Sequence, residues 1–215
     1  MALHSDAPRL FALDAALRAE AEEMLAASGI GAILSGGGYH PVGSYHMHTM
    51  VWRDLDYERY EEPSWERQWE IGTALARTRW CVRLQCMDAY REAWPGAQPD
   101  FGLYWGLRVA PPTRRENAPP GDPSVWKLDI WTGRAEEFAK QTGARRQVWV
   151  EAMNEEARSH ILALKEALCQ DPAYRKSLLS VHVYEAVLER GIRGLEEFRE
   201  WWGEAYGPGR AGVGG

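Results

Sequence analysis

Cysteine is nearly missing from this chain. Only Cys81, Cys86 and Cys169 occur in 215 residues, and they form neither a Cys-x-x-Cys pair nor an even set. That argues against a disulfide framework and fits buried thiols in a reducing compartment. Long apolar runs are missing as well. None approaches the roughly 20 residues of a membrane-spanning helix, and no basic stretch followed by an apolar one marks the N-terminus. A soluble, cytoplasmic protein with no membrane partner is therefore expected. Positive charge is in deficit: 25 lysines and arginines against 31 aspartates and glutamates leave a formal charge of −6 and a pI near 5.6. A broad basic surface of the kind that holds nucleic acid is thereby disfavoured. No internal repeat is present.

Tryptophan, by contrast, is abundant, with eleven residues spread from Trp52 to Trp202, most of them expected in the core. Hydrophobic residues at 45% and charged residues at 26% describe an ordinary globular chain, long enough for one large domain or two small ones. Apolar spacing predicts a helix over Leu10 to Ala27, opened near Asp6 and Pro8 and closed by Gly29. Gly36-Gly37-Gly38 lacks the lysine and spacing of a phosphate-binding P-loop and reads as a turn. Strands are expected over Tyr39 to Gly43, Met50 to Tyr57, Trp80 to Ala89, Phe101 to Val109 and Val125 to Trp131. Between the second and third lies a helix, Ser64 to Arg77, with Ser64 as cap and Trp65, Trp69 and Leu75 toward its buried side. A Pro-rich loop joins the last two strands.

After Gly133 the pattern is helical only. Helices are expected over Val148 to Leu168, with Val150 and Met153 in the apolar stripe, from Pro172 to about Arg190, and from Leu195 to Trp202. The division read from this is an α/β domain over 1–133, a helical domain over 134–206 and a flexible Gly-rich tail over 207–215.

Chemistry concentrates in the stretch PVGSYHMHTMVWRDLDY, from Pro41 to Tyr57. Side chains two apart on a strand point the same way, so Asp54 and Asp56 share a face. Ionised carboxylates resist burial unless paired or metal-bound, and Mg²⁺ takes one or two protein carboxylates while keeping sites for water and phosphate. Strand parity sends Arg53 to the opposite face. In the last strand, the same alternation puts Lys127, Asp129 and Trp131 on one face and Trp126, Leu128 and Ile130 on the other.

Val42-Gly43-Ser44 followed after nine residues by Asp54-Leu55-Asp56-Tyr57 resembles the signature of the polymerase-beta-like nucleotidyltransferase superfamily. Leu128-Asp129-Ile130 resembles its third carboxylate strand. The resemblance covers about the first 130 residues. It implies an α+β fold, a nucleotidyltransferase-type mixed β-sheet flanked by helices and followed by a C-terminal helical bundle. Asp54, Asp56 and Asp129 would then be catalytic and hold Mg²⁺, or Mn²⁺ in its place. Asp129 would bind the second ion or serve as the base. Gly43, Ser44 and Lys127 would contact the nucleotide, with Ser44 at a helix N-terminus and Lys127 either offsetting the carboxylates or holding a phosphate. The implied reaction moves an NMP group, AMP from ATP first among them, to a hydroxyl of a small-molecule acceptor. The acidic balance favours that acceptor over nucleic acid. Two alternatives stay open: an antitoxin-type enzyme that modifies a partner protein, and a silent member that binds nucleotide without turnover.

Weaker candidates are His40, His46 and His48, read first as surface residues and only second as zinc ligands or nucleotide contacts. Arg175 with His182 resembles an element of the helical nuclease partners of minimal nucleotidyltransferases, a pairing that arises easily by chance. Arg114-Arg115-Glu116 reads as a solvated loop tip.

Overall fold

The computed structural model describes residues 6–91, 102–111, 122, 124–140, 144–174 and 177–207. Helix α1 (Ala7–Ser28) is followed, across Gly29 at φ +74°, by a second helix, α2 (Ile30–Gly36), that the apolar spacing did not announce. Strand β1 (His40–Val42) and a four-residue helix α3 (Gly43–His46) lead to β2 (Asp54–Tyr60) and helix α4 (Trp65–Ala76). Strands β3 (Cys81–Asp88), β4 (Leu103–Val109) and β5 (Trp126–Gly133) follow. Then come helices α5 (Ala135–Phe138), α6 (Ala144–Ala152), α7 (Glu155–Leu168), α8 (Ser180–Tyr184), which continues as a π-helical turn over Glu185–Glu189, and α9 (Leu195–Tyr206). Among the described residues, no helix is long and apolar enough to cross a membrane. Packing divides the chain into two compact units, Leu13–Arg146 in one and Met1–Ala12 with Gln147–Gly215 in the other.

The first unit is α+β. Its five strands run in the order β1-β2-β5-β4-β3, with β2 and β5 parallel and the other neighbours antiparallel, so the sheet is mixed and helices flank it. The alternation expected on β5 holds, and β4 buries Trp105, Leu107 and Val109 on its core face in the same way. Trp126, Leu128, Ile130, Trp105, Leu107 and Val109 are buried in one core cluster with Leu55 and Tyr57 of β2. Leu17, Ala21 and Met24 of α1, Ile30 and Leu34 of α2 and Leu75 of α4 close that cluster, so these three helices cover one face of the sheet. By strand parity, the other face carries Asp54, Asp56, Lys127 and Asp129.

Ser64 caps α4 as expected, accepting from the Arg67 amide at 3.4 Å. The buried side of α4 is rotated from the expected one. Gln68, Gly72 and Leu75 are buried, whereas Trp69 is 51% exposed. The reason is Trp105, whose indole lies over Gly72 and donates from Nε1 to the Gln68 carbonyl at 3.1 Å. It leaves room there for no side chain, and Trp69 meets that ring from outside at 5.2 Å between centroids. A Cβ built on Gly72 would stand 2.2 Å from the indole. Gly72→Ala is therefore expected to destabilise the fold by about 1–3 kcal/mol, overpacking outweighing the better helix propensity of alanine. Urea unfolding measures this, and an unchanged or raised midpoint would contradict the packing described.

In the second unit, three expectations need correction. The helix foreseen over Val148 to Leu168 is interrupted at Met153-Asn154, because the Asn154 side chain accepts from the Ala157 amide at 2.9 Å and starts α7 afresh. On α6 the buried residue is Trp149, while Val148 and Val150 are exposed. Pro172 does not open a helix. Asp171 Oδ1 accepts from the Ala173 amide at 2.9 Å in a local turn, and helix resumes only at Ser180. The Arg114–Glu116 cluster, Arg175 and the tail from 208 lie outside the described residues.

Candidate active site

Parallel pairing of β2 with β5 assembles the candidate site. Asp54 stands opposite Lys127, and Asp56 opposite Asp129. Two segments far apart in sequence thus place three carboxylates and one ammonium on neighbouring positions of a single sheet face. The approach to β2 is held from α1, where the fully buried Asp14 accepts from the Met50 amide at 2.7 Å. Arg53 faces away, as parity required, and its guanidinium grips both carboxylate oxygens of Glu20 at 2.6 and 2.7 Å.

Lys127 Nζ pairs closely with Asp129 Oδ2 and lies 3.4 Å from Asp54 Oδ1. The second oxygen of Asp54 accepts from Trp52 Nε1 at 3.3 Å. Its first, Oδ1, is buried without a hydrogen bond among the described residues. Burial, with Asp129 adding repulsion, pushes the Asp54 carboxyl above the ordinary carboxylate range despite Lys127. Burial alone would lower Lys127, but the carboxylates of Asp54, Asp129 and Asp56 outweigh it and hold its ammonium above the usual lysine value.

Asp129 is also gripped from β4. Tyr104 Oη donates to Asp129 Oδ1 at 2.7 Å, and Gly106 makes room for it, since a Cβ there would meet the hydroxyl at 2.5 Å. The ring packs on Trp131 at 4.7 Å, and burial together with the Asp129 charge raises the Tyr104 phenol above its ordinary value. Tyr104 thus stays protonated and fixes the orientation of Asp129.

Gly43 sits at φ +62°, a left-handed conformation that glycine adopts without penalty. A Cβ at this position would stand 2.3 Å from Asp56 Oδ2. The Gly-Ser turn and the Asp56 carboxylate therefore touch, which neither motif alone discloses. Ser44 is buried within α3.

No protein-family model matches the chain, and no curated protein matches it significantly. The functional reading therefore rests on the site's own chemistry.

Of the residues singled out from sequence, Asp54, Asp56, Lys127 and Asp129 share one face, and Gly43 adjoins Asp56. Among the described residues, no group of three or more His, Cys, Asp or Glu side chains is gathered as ligands around a common point. Lys127, in contact with Asp54 and Asp129, supplies the positive charge there instead. The three histidines do not converge. His40 packs near Tyr60 at 5.8 Å, His46 is exposed, and His48 Nδ1 is 2.8 Å from an Arg18 nitrogen. His182 accepts from the Leu179 amide through Nδ1 at 3.0 Å and packs on Tyr206.

Sequence reasoning missed four neighbours of the site. Glu58 continues the Asp54–Asp56 face and is neutralised by two Arg146 contacts at 2.6 and 2.8 Å. Tyr104 and Arg108 lie on the same face of β4, Arg108 directly opposite Lys127. The period-two pattern did hold Glu58, Tyr104 and Arg108. Arg146, beyond the sheet, left no signal.

Proposed function

We propose that the chain is a Mg²⁺-dependent nucleotidyltransferase of the polymerase-beta-like kind, moving an NMP group from an NTP, first of all AMP from ATP, to a hydroxyl on a small molecule. The observation that carries this reading is the β2–β5 register, with Asp54 and Asp56 beside Lys127 and Asp129 and with Gly43 against Asp56. No three of these side chains are gathered around one point among the described residues, so the support for a divalent ion is their donor chemistry. Their donors are hard carboxylate oxygens, Asp54 Oδ1 has no hydrogen bond among the described residues, and three carboxylates face one ammonium. Asp54, Asp56 and Asp129 would hold the ion, which when bound offsets charge on the triphosphate and the departing pyrophosphate.

The chain's own groups account for the remaining work. Gly43, lacking a side chain, lets backbone approach a phosphate, and Ser44 adds a hydroxyl. Asp129, oriented by Tyr104, accepts the proton of the acceptor hydroxyl as its oxygen bonds to the α-phosphorus. The bond from that phosphorus to the β-phosphate bridging oxygen breaks, and pyrophosphate leaves. The acidic balance of the chain suits a small acceptor better than a nucleic-acid primer. Calorimetric titration of a nonhydrolysable ATP analogue checks this. Binding is expected to require Mg²⁺ and to be lost in Asp54→Asn, and binding indifferent to both would refute it.

A further inference from the structure

Lys127 holds the position in this site where a cation is most needed. Its ammonium touches Asp129 and lies 3.4 Å from Asp54 Oδ1, yet its side chain remains 31% exposed. Asp54 and Asp129 are fixed by strand pairing, by Trp52 and by Tyr104. Lys127, on a flexible four-carbon stem, is the member of the cluster free to reorient. The same carboxylate oxygens cannot serve an ammonium in contact and a divalent ion together, because two cations a few ångströms apart repel. A destination for the displaced ammonium lies beside it. Arg108 is directly opposite Lys127 on β4, its side chain makes no hydrogen bond or ion pair among the described residues, and Arg83 stands opposite Arg108 on β3. Like charges in cross-strand register repel one another and are relieved by an anion laid across them.

We infer that Lys127 is a resident counter-cation that occupies the carboxylates until a divalent ion and the phosphates of the nucleotide arrive together. The ammonium then passes from Asp54 and Asp129 to the phosphates on the side of Arg108. This deepens the nucleotidyltransferase reading and rests on it. Metal alone binds weakly because it must displace Lys127, and nucleotide relieves that competition by offering the ammonium another anion. Metal and nucleotide are therefore positively coupled, and the coupling runs through one side chain.

The test is a titration of Mn²⁺ into the full chain without nucleotide, read from the electron-paramagnetic signal of the free ion. A nonhydrolysable ATP analogue is then titrated at saturating Mn²⁺. Lys127→Met and Lys127→Gln are expected to bind Mn²⁺ alone about tenfold more tightly than the unmodified chain, the size of effect a neighbouring charge has on a carboxylate. They should bind the analogue about tenfold more weakly. Lys127→Arg, which keeps the cation, should show no gain in metal affinity. Two neutral variants are run so that the result does not hang on one of them folding. Unchanged Mn²⁺ affinity in both, alongside loss of Mn²⁺ binding in Asp54→Asn, would overturn the role of Lys127 and leave the metal site standing. Absence of any Asp54-dependent Mn²⁺ binding, in the unmodified chain and in both neutral variants, would overturn the site reading and this inference with it.

Discussion

Asp54→Asn and Asp56→Asn should each lower nucleotidyl transfer by about 10²–10³-fold while leaving the fold intact. Asparagine keeps the shape of aspartate and removes its charge. The activity loss follows from several kcal/mol of charge stabilisation at the phosphates, at about 1.4 kcal/mol per factor of ten. The structural tolerance follows from what surrounds Asp54. Burial raises its carboxyl, so ionisation there opposes folding, and a neutral amide removes that opposition while its oxygen still accepts from Trp52. Asp54→Asn is thus expected to unfold at a midpoint no lower than that of the unmodified chain. Steady-state rates and a denaturant melt on the same preparation separate the two effects. A variant that loses stability and activity in proportion would mean that Asp54 is a structural residue.

Gly43→Ala should bring the second large loss. Its φ of +62° costs an L-residue roughly 1–2 kcal/mol, and its new Cβ would lie 2.3 Å from Asp56 Oδ2. One of the two must move, and the carboxylate sits at the end of a short side chain against fixed backbone. Asp56 is therefore expected to turn away from Asp129, giving an activity loss within about tenfold of that in Asp56→Asn. Because both substitutions act on one carboxylate, their effects should not add in the double variant. Full additivity, measured as a rate cycle across the four proteins, would show that Gly43 acts elsewhere.

Much of this site was legible because strands alternate with a period of two. The runs DLDY and VWKLDIW each declare one buried face and one charged face, and both faces formed as written. Nothing in the spacing, however, says that β5 rather than β3 pairs with β2. That adjacency depends on β3 and β4 folding back as an antiparallel pair at the far side of the sheet. The Lys127 contact with Asp54 follows from this adjacency and was invisible without it. Phase errors elsewhere have local causes. On α4 the bulk of Trp105 over Gly72 decided which side was buried, and on α6 burial of Trp149 decided it against Val148 and Val150. Breaks at Asn154 and Asp171 came from short polar side chains that cap or turn the backbone, a competition that apolar periodicity does not register.

The most direct measurement is pyrophosphate release across the four NTPs with a panel of small hydroxyl-bearing acceptors, in the presence and absence of Mg²⁺. Mg²⁺-dependent release that rises with an acceptor, is strongest with ATP and falls about 10²–10³-fold in Asp54→Asn is expected. Release that is absent throughout, or that persists unchanged in Asp54→Asn, would contradict the proposed function.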